Sequence, residues 1–105
     1  MDAEEVAGRP GFKPSHPGAI LREDILPALA EKGVTKVALA NALGIKRQSL
    51  YDLIGEKRAV TPDMAVRLGR CLGNSPQFWL NLQSQHDLWD AERDPDASKV
   101  RPIAA

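Results

Sequence analysis

The chain has 105 residues, 43% apolar and 27% charged, and its 14 basic and 14 acidic side chains cancel to a formal net charge of zero. That is one domain's worth of sequence, too short for a multidomain enzyme or a β-barrel channel, and no apolar run approaches the roughly 18–20 residues that cross a bilayer. The opening Met1-Asp2-Ala3-Glu4-Glu5 is acidic with no apolar stretch after it, so no secretory signal is expected, and the lone Cys71 supports neither an internal disulfide nor, alone, a zinc site.

Residues 1–15 carry Gly8, Pro10, Gly11 and Pro14 and little that is apolar beyond Val6 and Phe12, the pattern of a flexible tail. The first helix starts at Pro17, where a missing N–H costs nothing. Ile20, Leu21, Ile25 and Leu29 follow at helical spacing. Pro27 is expected to end or kink this helix near Leu26, with a looser turn running on to Gly33. A second helix runs from an N-cap at Thr35 to Leu43, with Leu39, Ala40 and Leu43 inward and Gly44 as its stop.

The third helix spans about Lys46 to Ile54, with Leu50, Leu53 and Ile54 inward, and ends at Gly55. The fourth has the clearest start signal in the chain: Thr61 caps, Pro62 takes the first turn, and Asp63 complements the helix dipole. Met64, Ala65, Leu68 and Leu72 face inward before Gly73. Ser75 and Pro76 repeat that start for a fifth helix to about Glu92, and residues 94–105, with Pro95 and Pro102, read as a second tail. The expected architecture is all-α, five helices in one domain over residues 16–93, with a tail at each end.

The zero net charge is a sum of unlike parts. Residues 1–31 hold three basic and six acidic side chains, residues 32–70 eight and three, and residues 71–105 three and five. Screening confines each charge to about 8 Å at physiological salt, so the basic middle matters more than the total. That middle contains two helices joined by the short turn Gly44-Ile45, with the small Ala40 where the helices cross. This is helix-turn-helix spacing, and it projects the third helix outward, toward a DNA major groove. An ordinary helical hairpin with a solvated polar face is the competing interpretation.

Stepping about 100° per residue from Leu50, Leu53 and Ile54 places Gln48 and Asp52 opposite the core, with Ser49 and Tyr51 beside them. Lys46 and Arg47 stand in the first turn, which a helix entering a groove end-first presents. Arg can bond guanine bidentately, and Gln can do the same with adenine. Lys36, Lys57 and Arg58 suit phosphates, as does Thr35 at the second helix's N-terminus. Asp52 repels phosphate, yet it can accept from cytosine N4 or orient Arg47.

Beyond this pattern, His16-Pro17-Gly18, Leu21-Arg22-Glu23-Asp24, Lys57-Arg58, Thr61-Pro62-Asp63-Met64-Ala65, Arg67-Leu68, Phe78-Trp79-Leu80-Asn81-Leu82-Gln83 and Asp87-Leu88 occur in that order. Together, over about residues 16–90, they resemble the HigA-type antitoxins of the Xre (lambda-repressor-like) helix-turn-helix class. The resemblance implies a five-helix repressor fold and a homodimer with two tasks. One is to neutralise a HigB-type toxin, a ribosome-dependent mRNA endonuclease. The other is to repress its own operon by binding a palindromic operator in double-stranded DNA. The chain departs from the family pattern at Lys36, often Gln, at Lys46, commonly a capping Ser, and at Gly55-Glu56, usually Asn-Gly.

Phe78, Trp79, Leu82 and Trp89 share one wide face of the fifth helix, with Leu80 and Leu88 off it. Apolar residues beyond one stripe call for a second partner, and a dimer interface at these six positions is the expectation, against the alternative that all are ordinary core. His16, just ahead of a helix, reads as a cap rather than a ligand. His86 and Cys71 make no zinc spacing, and Ser84-Gln85-His86-Asp87 form no triad, since adjacent helical residues point apart. No catalytic residues, metal or cofactor are expected, and no membrane partner. A toxin that acts on RNA is expected to be basic, which suggests the acidic residues Glu4, Glu5, Glu23 and Asp24 as its contact. Two other functions compete: an orphan Xre-type regulator without a toxin, and a pure protein-binding antidote with a vestigial turn motif.

Overall fold

Among the described residues the first helix is capped by His16, whose Nδ1 accepts the Gly18 N–H (2.9 Å), as expected. The computed structural model describes residues 12–104, in which six helices and no strand occur. The first helix, α1, is continuous through three segments: Pro17–Ile20, a π turn at Leu21–Ile25, and Leu26–Glu31.

The helix therefore does not end at Pro27; the disturbance expected near Leu26 takes the form of the π turn just before it. Proline lacks the N–H and crowds the carbonyl four residues back. Here the preceding turn widens, so that the Leu26 N–H donates five residues back to Leu21, and Pro27 falls in the first turn of the next α segment, where it is tolerated. The stretch expected as a looser turn is therefore regular helix to Glu31.

Next come α2 (Lys36–Leu43), α3 (Arg47–Ile54), α4 (Pro62–Leu72) and α5 (Pro76–Glu92). Thr35, Thr61 and Ser75 each cap by accepting a backbone N–H three residues on, at 3.1, 3.2 and 3.1 Å. Gly44 stops α2 at φ 70°, a left-handed conformation that costs glycine little. A short sixth helix, α6 (Pro95–Ser98), lies in the expected C-terminal tail, with the Asp94 side chain accepting the Asp96 N–H and proline in the first turn.

The expected stripes of α2 and α3 form the core together with Met64, Ala65 and Leu68 of α4, joined by Leu21, Leu26 and Val60. Leu72 is only half-buried at its edge. Trp79 is the correction on α5. It is fully buried in its own chain and donates from Nε1 to Asn74 Oδ1, so it is core rather than dimer surface. The buried stripe of α5 runs through Trp79 and Gln83, where the Gln83 carbonyl accepts the Val60 N–H at 2.8 Å. Phe78, Leu82 and Trp89 lie on one flank of that stripe and Leu80 and Leu88 on the other.

The N-terminal expectation falls outside the described residues up to position 11. Of the remainder, Pro14 is buried and Lys13 donates to Asp90 at 3.0 Å. Glu4 and Glu5 also lie outside, while Glu23 and Asp24 are exposed on α1.

Candidate nucleic-acid interface

α2 and α3 meet across Gly44-Ile45-Lys46, and Ala40 is fully buried at their crossing. The small side chain lets the two backbones approach. The Ile45 N–H returns to the Ala40 carbonyl at 3.0 Å, which closes the turn tightly. Leu50, Leu53 and Ile54 hold the inner side of α3. Its outer side is left to Arg47, Gln48 and Tyr51, all exposed, with Ser49 and Asp52 half-buried at the margins.

The surrounding cations come from two further segments. Lys36, at the start of α2, holds Nζ 5.9 Å from the centre of the Tyr51 ring, a cation–π approach that joins α2 to the outer face of α3. Lys57 and Arg58 are exposed in the loop after α3. Arg58 stands over a cleft of about 290 Å³ shared with Thr61, Asp63 and Arg67. Lys46 sits at the N-cap of α3, where no side chain caps the helix. Thr35 spends its hydroxyl oxygen on the Ala38 N–H.

Asp52 departs from the alternative in which it orients Arg47: its Oδ1 accepts from Gln48 Nε2 at 2.9 Å. It orients the glutamine rather than Arg47. The two are four residues apart and stack on one face of the helix, whereas a spacing of five from Arg47 turns the carboxylate away.

Three residues that position the site have no assigned role in the sequence reading. Arg22 of α1 donates from Nη1 to the Ile54 carbonyl at 2.6 Å and to Glu56 Oε2 at 3.2 Å, closing the C-terminus of α3. Arg67 of α4 donates to the Leu43 and Gly44 carbonyls, closing the C-terminus of α2. Gly18 of α1 lies so close to α3 that a β-carbon there would stand 1.9 Å from the Leu53 carbonyl oxygen. Only the Asp63–Arg67 spacing hinted at the second arginine; the other contacts span more than twenty residues.

Glu56 takes the left-handed conformation, φ 61°, that the expected stop at Gly55 does not. Behind this junction the His16 and His86 rings meet edge to face at 5.0 Å. Burial, reinforced by His86, pushes the His16 imidazole below its ordinary range, against the opposing pull of Glu56 and Asp87.

On the opposite side of the molecule's longest helix, Leu80, Ser84, Leu88 and Ala91 line an open cleft of about 450 Å³ with Val60 and Gln83. Leu88 and Phe78 are exposed there and on the other flank, and Trp89 is covered by the Arg93 guanidinium at 3.3 Å. Among the described residues no helix is long and apolar enough to cross a membrane, and no group of three or more His, Cys, Asp or Glu is placed to hold a metal ion.

No protein-family model matches the chain. It is 36% identical to antitoxin HigA-1 of Vibrio cholerae, over 87% of this chain and 85% of that relative. It is 39% identical to the uncharacterized HTH-type transcriptional regulator YddM of Escherichia coli, over 83% of this chain and 88% of that one. Among solved structures, the antitoxin GraA in complex with its operator superposes with a TM-score of 0.76 at 40% identity, covering 92% of this chain and 98% of GraA.

Proposed function

We propose, from the premise that this chain belongs to the HigA family of helix-turn-helix antitoxins, that it is an antitoxin and autorepressor that binds palindromic operator DNA as a homodimer. The observation that carries the DNA reading is the outer face of α3: Arg47 and Gln48 are exposed on a helix whose inner side is locked into the core. Arg47, Gln48, Tyr51 and Ser49 face the base edges. Lys36, Lys46, Lys57, Arg58 and the Thr35 end of α2 take the flanking phosphates. The operator-bound state of GraA supports the DNA-binding reading as a whole.

Reading a palindrome requires two such helices about 34 Å apart. The dimer surface is the part of α5 outside its buried stripe: exposed Leu88 and half-buried Leu80 along the cleft, with exposed Phe78 and half-buried Leu82 and Trp89 on the other flank. Trp79 is excluded from it by burial. The toxin is a basic HigB-type endonuclease of mRNA, and the acidic residues Glu4, Glu5, Glu23 and Asp24 supply its contact. The protein acts in the cytoplasm, where operator and toxin both occur.

Gel shifts with the DNA upstream of its own gene test the repressor role. Binding is expected to depend on the palindrome and to weaken steeply with salt as counterions are released. Equal affinity for a scrambled duplex overturns it. Co-purification with the product of an adjacent short reading frame tests the antitoxin role. A second reading is an orphan Xre-type regulator without a toxin, in line with the likeness to the HTH-type transcriptional regulator YddM; absence of any such neighbouring frame selects it.

A further inference from the structure

We infer that Asp52 determines base specificity through Gln48, restricting the base under that side chain to adenine. The inference rests on the reading of α3 as the groove-facing helix. A carboxamide carries two N–H donors and one carbonyl acceptor. One of those donors is already engaged, because Gln48 Nε2 donates to Asp52 Oδ1 at 2.9 Å. An ionised carboxylate has no proton to give, so it can hold the nitrogen of Gln48 but never its oxygen. The amide is therefore fixed one way round, with one N–H and the carbonyl oxygen left facing outward.

That remaining pair is complementary to adenine, which offers an acceptor at N7 and a donor at N6. Guanine offers two acceptors, N7 and O6. An unrestrained glutamine can meet guanine by turning both N–H groups toward it. The Asp52 contact removes that option, and the Gln48 carbonyl then opposes guanine O6. This also accounts for a carboxylate at the margin of a surface meant for phosphates, where a negative charge lowers affinity for every duplex. Asp52 trades affinity for discrimination. It is a positioning residue: the contact it governs belongs to Gln48.

The test is selection from a randomised duplex pool, followed by competition binding, with the full chain and with Gln48→Ala, Asp52→Ala, Asp52→Asn and the double variant. The unaltered chain is expected to prefer adenine over guanine at one position of each half-site, and Gln48→Ala to abolish that preference. Asp52→Ala is expected to reduce it there on the order of tenfold while tightening binding to all duplexes. Asp52→Asn keeps the shape of the side chain yet can accept or donate, so it permits both amide orientations and should lose discrimination similarly. The double variant should match Gln48→Ala at that position. An adenine-to-guanine ratio unchanged in Asp52→Asn, or an effect at a base pair that Gln48→Ala does not touch, overturns the inference alone. An unaltered chain that selects no sequence overturns the DNA-binding reading and this inference with it.

Discussion

Arg67 Nη1 donates to the Leu43 carbonyl at 2.8 Å, so a side chain of α4 closes the last turn of α2. The same group reaches the Gly44 carbonyl at 3.2 Å, and Asp63 accepts from Arg67 Nε at 2.9 Å. Helix ends leave carbonyls without partners, and a fixed guanidinium fork can serve two of them while a carboxylate holds it in place. Arg67→Met keeps the stem but removes every one of these bonds. Urea unfolding is expected to show a loss of about 1–2 kcal/mol. Arg67→Lys should recover only part of it, because one ammonium cannot reproduce the fork.

Gly18 sets the distance between α1 and α3. A β-carbon there would overlap the Leu53 carbonyl oxygen and come within 3.1 Å of the His16 ring. Neither neighbour is a flexible tip that can swing aside. Gly18→Ala is therefore expected to cost at least ~2 kcal/mol through overpacking, despite alanine's better helix propensity. Since the displaced backbone is that of α3, operator affinity measured on the fraction still folded should fall as well. A melting temperature equal to that of the unaltered chain would show that the helices separate freely.

Helix boundaries were legible because they rest on local chemistry. Thr35, Thr61 and Ser75 cap through their own side chains, and each bond joins residues three apart. The stripes of α2, α3 and α4 were legible for the same reason, since periodicity is a local property. What escaped depends on partners far along the chain. Periodicity shows that Trp79 is on an apolar face but not that its own chain buries it completely. Nothing near Arg22 in sequence announces the Ile54 carbonyl that it caps. The sequence shows the local cost of Pro27, while its compensation lies one turn earlier in the widened π turn. Within the site, the four-residue spacing of Gln48 and Asp52 is visible in the sequence, but spacing alone does not choose between the glutamine that Asp52 holds and the arginine one residue earlier.

His16 gives the fold an acid limit. Its Nδ1 accepts the Gly18 N–H, which a protonated ring cannot do, and burial holds its pKa below the ordinary histidine value near 6.5. Between that lowered value and 6.5 the unfolded chain binds more protons than the folded one. Stability therefore rises with pH across this window and is fully present above it. Unfolding measured from pH 7.5 downward should show a loss that begins as pH falls below about 6.5. His16→Asn can still cap and does not titrate, so it should flatten that part of the profile. An equally steep profile in His16→Asn would assign the loss to other groups.

Glu56 occupies the left-handed region at φ 61° while its carboxylate pairs with Arg22 at 3.2 Å. The two effects oppose each other. A left-handed conformation costs a non-glycine residue about 1–2 kcal/mol, and a partly exposed ion pair returns about 0–1. Glu56→Ala and Glu56→Gly both remove the carboxylate, so the difference between them isolates the backbone contribution. Glu56→Gly should be the more stable of the two by about 1 kcal/mol in urea unfolding, and close to the unaltered chain. Equal stability of the two variants would place the strain elsewhere in the loop.

The cations around α3 should separate into two kinds by their response to salt. Lys36, Lys57 and Arg58 flank the helix rather than sit on its outer face. Replacing each by alanine removes a phosphate contact, so the slope of log affinity against log salt should fall by about 1 per site, equally for operator and scrambled duplex. Arg47 stands in the first turn of α3, exposed at the leading edge. Arg47→Ala should cost the operator complex about 1–3 kcal/mol, with a much smaller change on the scrambled duplex, because a lost base contact is felt only where the matching base exists. Fluorescence anisotropy across a potassium chloride series measures both quantities at once. Equal losses for Arg47→Ala on the two duplexes would move that arginine to the phosphate set and leave base reading to Gln48.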